Sequence, residues 1–342
     1  MAASLDKGNN KSVISRILAT AKSNPIVVLL VFVSIVVGFT TQNFFSWGNL
    51  GNLVSNTAIR FLIALGVSGC LITKGTDLSA GRQVGLAACI AGVLIQRGDY
   101  TGRLYKSFPE MNMWVVLLIV LAIGAFIGFV NGWIISRLKV PPFITTLGTQ
   151  TIVYGFCLVF TDAQPIGGFQ QVYTRLITGR IGNVSGFYLP YLLFVALIFG
   201  ALFWFLYNKT THGKYMYAIG GNEVAAEVSG VNTKNTLLRI YIIAGVMYAL
   251  AGYLLAAKSG GASASMGQGY ELEAIAGCTI GGVSTTGGIG RVTGVLVGVL
   301  VFELLKIVLQ FLGVNPYYNY VVQGLVIVVA VALDIRKYIA KK

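Results

Sequence analysis

Residues able to do acid–base, metal or nucleotide chemistry are sparse in this 342-residue chain, and their spacing excludes most enzyme classes. A single histidine, His212, cannot build a His-based metal cluster and disfavours a Ser-His-Asp relay. Beside Gly213 it reads as a solvated loop residue rather than a pH sensor. Cys70, Cys89, Cys157 and Cys278 lie in apolar segments without metal-ligand spacing and read as small buried hydrophobes. No Walker A motif is present. In Gly75-Thr76-Asp77-Leu78-Ser79-Ala80-Gly81-Arg82 the second glycine comes one residue late and Arg82-Gln83 replaces Lys-Ser/Thr. The Gly282–Gly287 spacing is followed by Gly288 where Lys is required. The chain is therefore not expected to cradle ATP phosphates or to be an enzyme, and no metal or other cofactor is expected on it.

The remaining polar constellations have two readings each. Asp77 and Ser79 suit a turn that caps the following helix, or they line a polar path. Pro141-Pro142 breaks any helix. The hydroxyls after Phe143, those of Thr145, Thr146 and Thr149, then face a path or bond back to their own helix carbonyls. Glu303 and Lys306, three residues apart in an apolar run, form a neutral pair on one helix face, or Glu303 lines the path. Between positions 213 and 231, Asn222 is a good N-cap, Glu223 favours the positive helix end and Gly230 suits C′. The two-turn helix between them carries Val224 and Val228 on one side and Glu223 and Glu227 on another. So short a helix is unstable alone and must dock, on its own domain or on a partner.

The elements that hold these residues are membrane spans. Hydrophobic residues make up 56% of the chain, charged ones 11%, and mean hydropathy is +0.77, which implies an apolar surrounding. Forty-three glycines suit closely packed or broken membrane helices. With about 20 residues per crossing, ten spans are expected, at 25–41, 55–73, 83–96, 113–136, 143–160, 188–207, 237–257, 271–284, 292–312 and 318–335. The eighth, rich in Gly, Ser and Thr, reads as broken or half-length. Residues 1–24 form a basic N-terminal segment before an uncleaved first helix, and 25–342 one all-α transmembrane domain. With the N-terminus inside, seventeen Lys and Arg fall in inner segments and seven, Arg60 among them, in outer ones. Both termini are thus expected in the cytoplasm. That excess explains the +14 charge without nucleic acid. Segments 97–112 and 161–187 face outward on this scheme, and loop 208–236 faces the cytoplasm. Gly81-Arg82-x-x-Gly85 and Gly290-Arg291-x-x-Gly294 form a local echo that hints at duplicated halves.

Gly213, Ala218, Gly220, Asn222, Ala225, Ala226, Ser229, Gly230 and an aliphatic Val231 fill a pattern similar to the coupling loop of permeases in the ribose/galactose/branched-chain class of ABC importers. Gly75-x-Asp77-Leu78-Ser79-x-Gly81 also resembles that class. Its longer form through Gly85 is more similar to methyl-galactoside than to ribose permeases. Val140–Thr149 and Gly313-Val314-Asn315-Pro316-Tyr317-Tyr318 resemble further family segments, whereas Glu303 and Lys306 depart from the galactoside pattern. The likeness runs from about residue 50 to the C-terminus. It implies a homodimer in the bacterial cytoplasmic (inner) membrane, working by alternating access. It also implies two ATPase subunits that carry ATP and Mg and dock on the short helix, with Glu223 beside the family positions. Outside, it implies a periplasmic or lipid-anchored sugar-binding protein. Galactose, its methyl glycosides or glucose are the implied cargo, ribose less so. Asp77, Ser79, Phe143, Thr145, Thr146, Asn315 and Glu303 are the path candidates. An uncharged sugar asks for such small polar groups and few fixed charges. An ion-coupled carrier is the rival, with Glu303 as the one midplane acid it could use; Asp77 with Arg82 is too little for a membrane transferase.

Overall fold

The computed structural model describes residues 25–184, 187–315 and 317–339; the basic segment 1–24, Pro316 and the terminal Lys341 and Lys342 lie outside them. In order the elements are α1 (Pro25–Thr40), α2 (Trp47–Ile72), α3 (Ala80–Leu94), α4 (Met113–Arg137), α5 (Pro142–Thr161) and α6 (Gln171–Thr178). Then come β1 (Arg180–Val184), β2 (Phe187–Pro190), α7 (Tyr191–Lys209), α8 (Thr211–Gly221), α9 (Glu223–Val228), α10 (Thr233–Ser259), α11 (Tyr270–Ile280), α12 (Val292–Phe311) and α13 (Tyr318–Ile339). Helices α2, α4, α5, α7, α10 and α12 are long and apolar enough to cross a membrane, and shorter apolar stretches occur in α1, α3 and α13. The chain is a mostly helical, polytopic membrane protein.

The core is a crossing of α2 and α10, the two most enclosed long helices. Helix α10 also packs on α3 and α4, and α2 on α11 and α12. Small residues set these distances. A Cβ added to Gly124 of α4 would lie 2.4 Å from the Gly245 carbonyl oxygen of α10, and one on Gly128 2.2 Å from that of Tyr241. Between α11 and α12, a Cβ on Gly298 would come within 1.9 Å of the Gly277 carbonyl. Such glycine seams let backbones touch where apolar lipid gives helices no hydrophobic reason to associate.

Each of the two core helices is followed by a short one, α3 after α2 and α11 after α10. The expected break in the eighth span is real: α11 ends at Ile280, and irregular backbone runs to Arg291. The Gly-Arg echo does not mark this repetition. Gly81-Arg82 lies inside α3, whereas Gly290-Arg291 immediately precedes α12. Segment 161–187 is more ordered than a loop, holding α6 and a hairpin that pairs Arg180 with Pro190. That pairing delays the next helix to Tyr191. Segment 208–236 likewise carries α8 ahead of the expected short helix.

Candidate functional site

The short helix in segment 208–236 is closed at both ends by local chemistry. Asn222 Oδ1 accepts the Ala225 N–H at 3.1 Å, the N-cap expected of it. At the other end Val231 N–H reaches the Ala226 carbonyl at 3.0 Å and Gly230 N–H reaches that of Glu227 at 2.9 Å. With Gly230 at φ +85° this is a Schellman motif, which needs a residue free of a Cβ penalty. Ser229 Oγ donates to the Ala225 carbonyl. Ahead of it, Ala218 accepts the Asn222 N–H, and Gly213 forms the α7–α8 corner, where a Cβ would lie 2.1 Å from the Tyr207 carbonyl oxygen. Gly220 abuts the end of α2.

The docking of α9 is divided. Ala226 packs with Ile219, Leu237 and Val231 of its own chain. Val224 and Val228 remain 71% and 85% exposed on the other side. Glu223 makes an exposed ion pair with Lys139 of the α4–α5 turn at 2.8 Å. One side of α9 is thus held by the membrane domain and the other presents an apolar pair outward.

A second cluster lies in the interior. Asp77 is 1% exposed; its Oδ1 accepts the Ser79 N–H at 3.0 Å and the Ser79 hydroxyl at 2.5 Å. Ser79 Oγ accepts from Gln83 and from Asn131 of α4, and Asn131 Oδ1 accepts the Thr149 hydroxyl at 2.6 Å. Thr146 Oγ1 takes the Leu78 N–H and bonds to the Thr76 and Pro142 carbonyls, so it joins α5 to the 73–79 turn. Thr145 bonds back to Pro141. Thr145 thus bonds back along its own chain, Thr146 does so and also reaches the 73–79 turn, and Thr149 bonds across to α4. Phe143 is exposed, and Asn315, also exposed, accepts the Tyr317 N–H in the last turn. The path candidates do not form one cluster: Asp77, Ser79 and Thr146 come together, and the others stand apart.

Glu303 belongs to a third cluster, larger than the pair read from sequence. Arg60 Nε lies 2.6 Å from Glu303 Oε1 and 2.8 Å from Glu273 Oε2; Lys306 Nζ lies 2.6 Å from Glu273 and 3.4 Å from Glu303. Gln323 of α13 donates to the other Glu273 oxygen, and the Arg60 guanidinium covers the Tyr270 ring. Two partly buried cations and two buried carboxylates, cross-bonded, tie α2, α11 and α12 together. Arg60 is therefore not an outer flank: it sits mid-way along α2 with its charge inside the protein. Nor is Glu303 alone at depth, since Glu271 and Glu273 of α11 are buried too. A charged residue within an apolar run was the available signal for Arg60. Glu273, at the start of an expected span, gave none for its partner.

The chain is thus a polytopic helical membrane domain with a broken helix, an interior set of opposed charges and one partly undocked helix. Residues 49–331 match the model of the branched-chain amino acid transport system / permease component family, to which this chain belongs. The galactose/methyl galactoside import permease protein MglC of Escherichia coli (strain K12) is 48% identical over 319 residues, covering 92% of this chain and 94% of that one. MglC of Haemophilus influenzae is 45% identical, over 92% and 94% of the two chains. The ribose import permease protein RbsC of Bacillus subtilis is 39% identical, over 92% and 93%. No solved structure matches the chain.

Proposed function

We propose that this chain is the membrane permease subunit of an ATP-binding-cassette importer for galactose and methyl galactosides, working in the bacterial inner membrane by alternating access. The observation that carries the reading is the 48% identity, over nearly the whole of both chains, to a permease of that name. The ribose permeases are more distant. On this reading the polypeptide crosses the membrane ten times with both termini in the cytoplasm, in keeping with its Lys and Arg asymmetry, which survives the removal of Arg60 from the outer tally. Two copies frame one path. Two ATPase subunits, holding ATP and Mg, seat on α9 of each copy, where exposed Val224 and Val228 suit a groove in a partner. An external sugar-binding protein delivers the cargo to the surface formed by segments 97–112 and 161–187.

Uptake into proteoliposomes containing the chain, its ATPase and its binding protein tests the reading. Labelled galactose and methyl galactoside should accumulate only with all three components and ATP. Accumulation without the ATPase subunit, or a preference for ribose with the same binding protein, would overturn it.

A further inference from the structure

Segment 208–236 meets the rest of its chain at a backbone seam beyond α9. Ile72, the last residue of α2, accepts the Gly288 N–H at 2.8 Å. A Cβ on Gly220, near the end of α8, would lie 1.8 Å from that Ile72 carbonyl oxygen and 2.5 Å from Gly288 N. Three backbone strands are therefore in direct contact: the end of α2, the end of α8 and the turn between α11 and α12. Two side chains clamp the seam. Lys74 Nζ donates to the Gly221 carbonyl at 3.1 Å, and Tyr217 Oη donates to the Gly290 carbonyl at 2.9 Å.

The 281–291 turn is built to carry a displacement onward. Ser284 N–H bonds to the Ile289 carbonyl and Gly287 N–H to that of Ser284, closing the turn on itself. Val283 N–H returns to the Cys278 carbonyl of α11. Gly287 and Gly288 hold φ of +88° and +76°, where a side chain would be strained, and a Cβ on Gly287 would lie 2.7 Å from the Gly220 carbonyl oxygen. From the turn, α11 leads two helical turns back to Glu273, the residue that binds both Arg60 and Lys306. A further contact of the segment, Glu223 with Lys139, is an exposed ion pair that solvent screens. Backbone in van der Waals contact cannot yield in that way.

We infer that the Gly281–Arg291 turn is the transmission element of this permease. Movement of α8–α9 passes through the Gly220–Gly288 seam into α11 and so to the Arg60–Glu273–Glu303–Lys306 cluster; Lys74 and Tyr217 are positioning residues that keep the seam engaged. The inference rests on the proposal that an ATPase drives segment 208–236.

The complete importer, reconstituted with its ATPase and binding protein, provides the test. Lys74→Met with Tyr217→Phe removes both clamps without altering backbone. The ATPase subunit should co-purify as in wild type and hydrolyse ATP, while sugar delivered per ATP falls by about tenfold or more. Lys74→Arg with Tyr217 intact should restore the ratio. An unchanged ratio in the double variant overturns the inference. So does a parallel loss of co-purification, which would make the clamps a matter of assembly. Failure of the underlying proposal shows separately, as a wild-type chain that retains no ATPase.

Discussion

Arg60, Lys306, Glu273 and Glu303 together carry no net charge, and that balance decides which substitutions the interior tolerates. Removing one member leaves an uncompensated ion where little water reaches, at a cost of up to about 3–5 kcal/mol. Lys306→Met or Glu303→Gln alone should therefore lower the thermal unfolding midpoint of the purified protein more than the two together. The double variant keeps Arg60 against Glu273, still hydrogen-bonded by Gln323. A double variant less stable than both singles would show that local packing outweighs charge balance. His212 makes a contrasting case on α8. Burial, with Arg239 nearby, holds its pKa below the ordinary value of 6.5. The folded protein then binds fewer protons than the unfolded chain, so stability is complete above pH 6.5 and declines as pH falls toward the lowered value. Thermal scans below pH 6.5 should show that decline in wild type and less of it in His212→Gln.

At the scale of elements, what was legible in the sequence is what local chemistry determines. Asn222 and Gly230 define the ends of α9 because capping involves only neighbours along the chain. The half-length α11 was legible from its glycines and hydroxyls. Helix α8 was not, since Gly213, Gly220 and Gly221 give Thr211–Gly221 the composition of a loop. It is held by burial of Met216 and Ile219 and by close backbone approaches that need Gly213 and Gly220. Likewise Arg60 and Glu273 are 213 positions apart, and only the crossing of α2 with α11 brings them together. The capping argument is testable on α9 itself. Asn222→Ala should cost about 1 kcal/mol of local helix stability, a large share for six residues that are marginal alone. The expected result is weaker ATPase co-purification and reduced uptake, with Asn222→Ser restoring much of both. Full assembly and uptake in Asn222→Ala would mean that the partner shapes α9 without help from its cap.

For the whole molecule, the arrangement of interior charge separates an ATP-driven importer from an ion-coupled carrier. A carrier driven by protons needs an acid that loses and regains its charge during each cycle. Glu303, the acid which sequence reading offered for that role, is held by Arg60 and Lys306 at once, and Glu273 shares both cations. Proton cycling on either would break a neutral set that joins three helices. Outside that set Glu271 is also buried, and so is Asp77. Its Oδ1 takes two bonds from Ser79, and an asparagine oxygen can accept the same two. Uptake by the full importer should therefore persist when an uncoupler collapses the proton gradient and stop when ATP is withdrawn, and Asp77→Asn should transport within about threefold of wild type. Loss of uptake with the gradient, together with an inactive Asp77→Asn, would shift the energy source from the ATPase to an ion bound inside this chain.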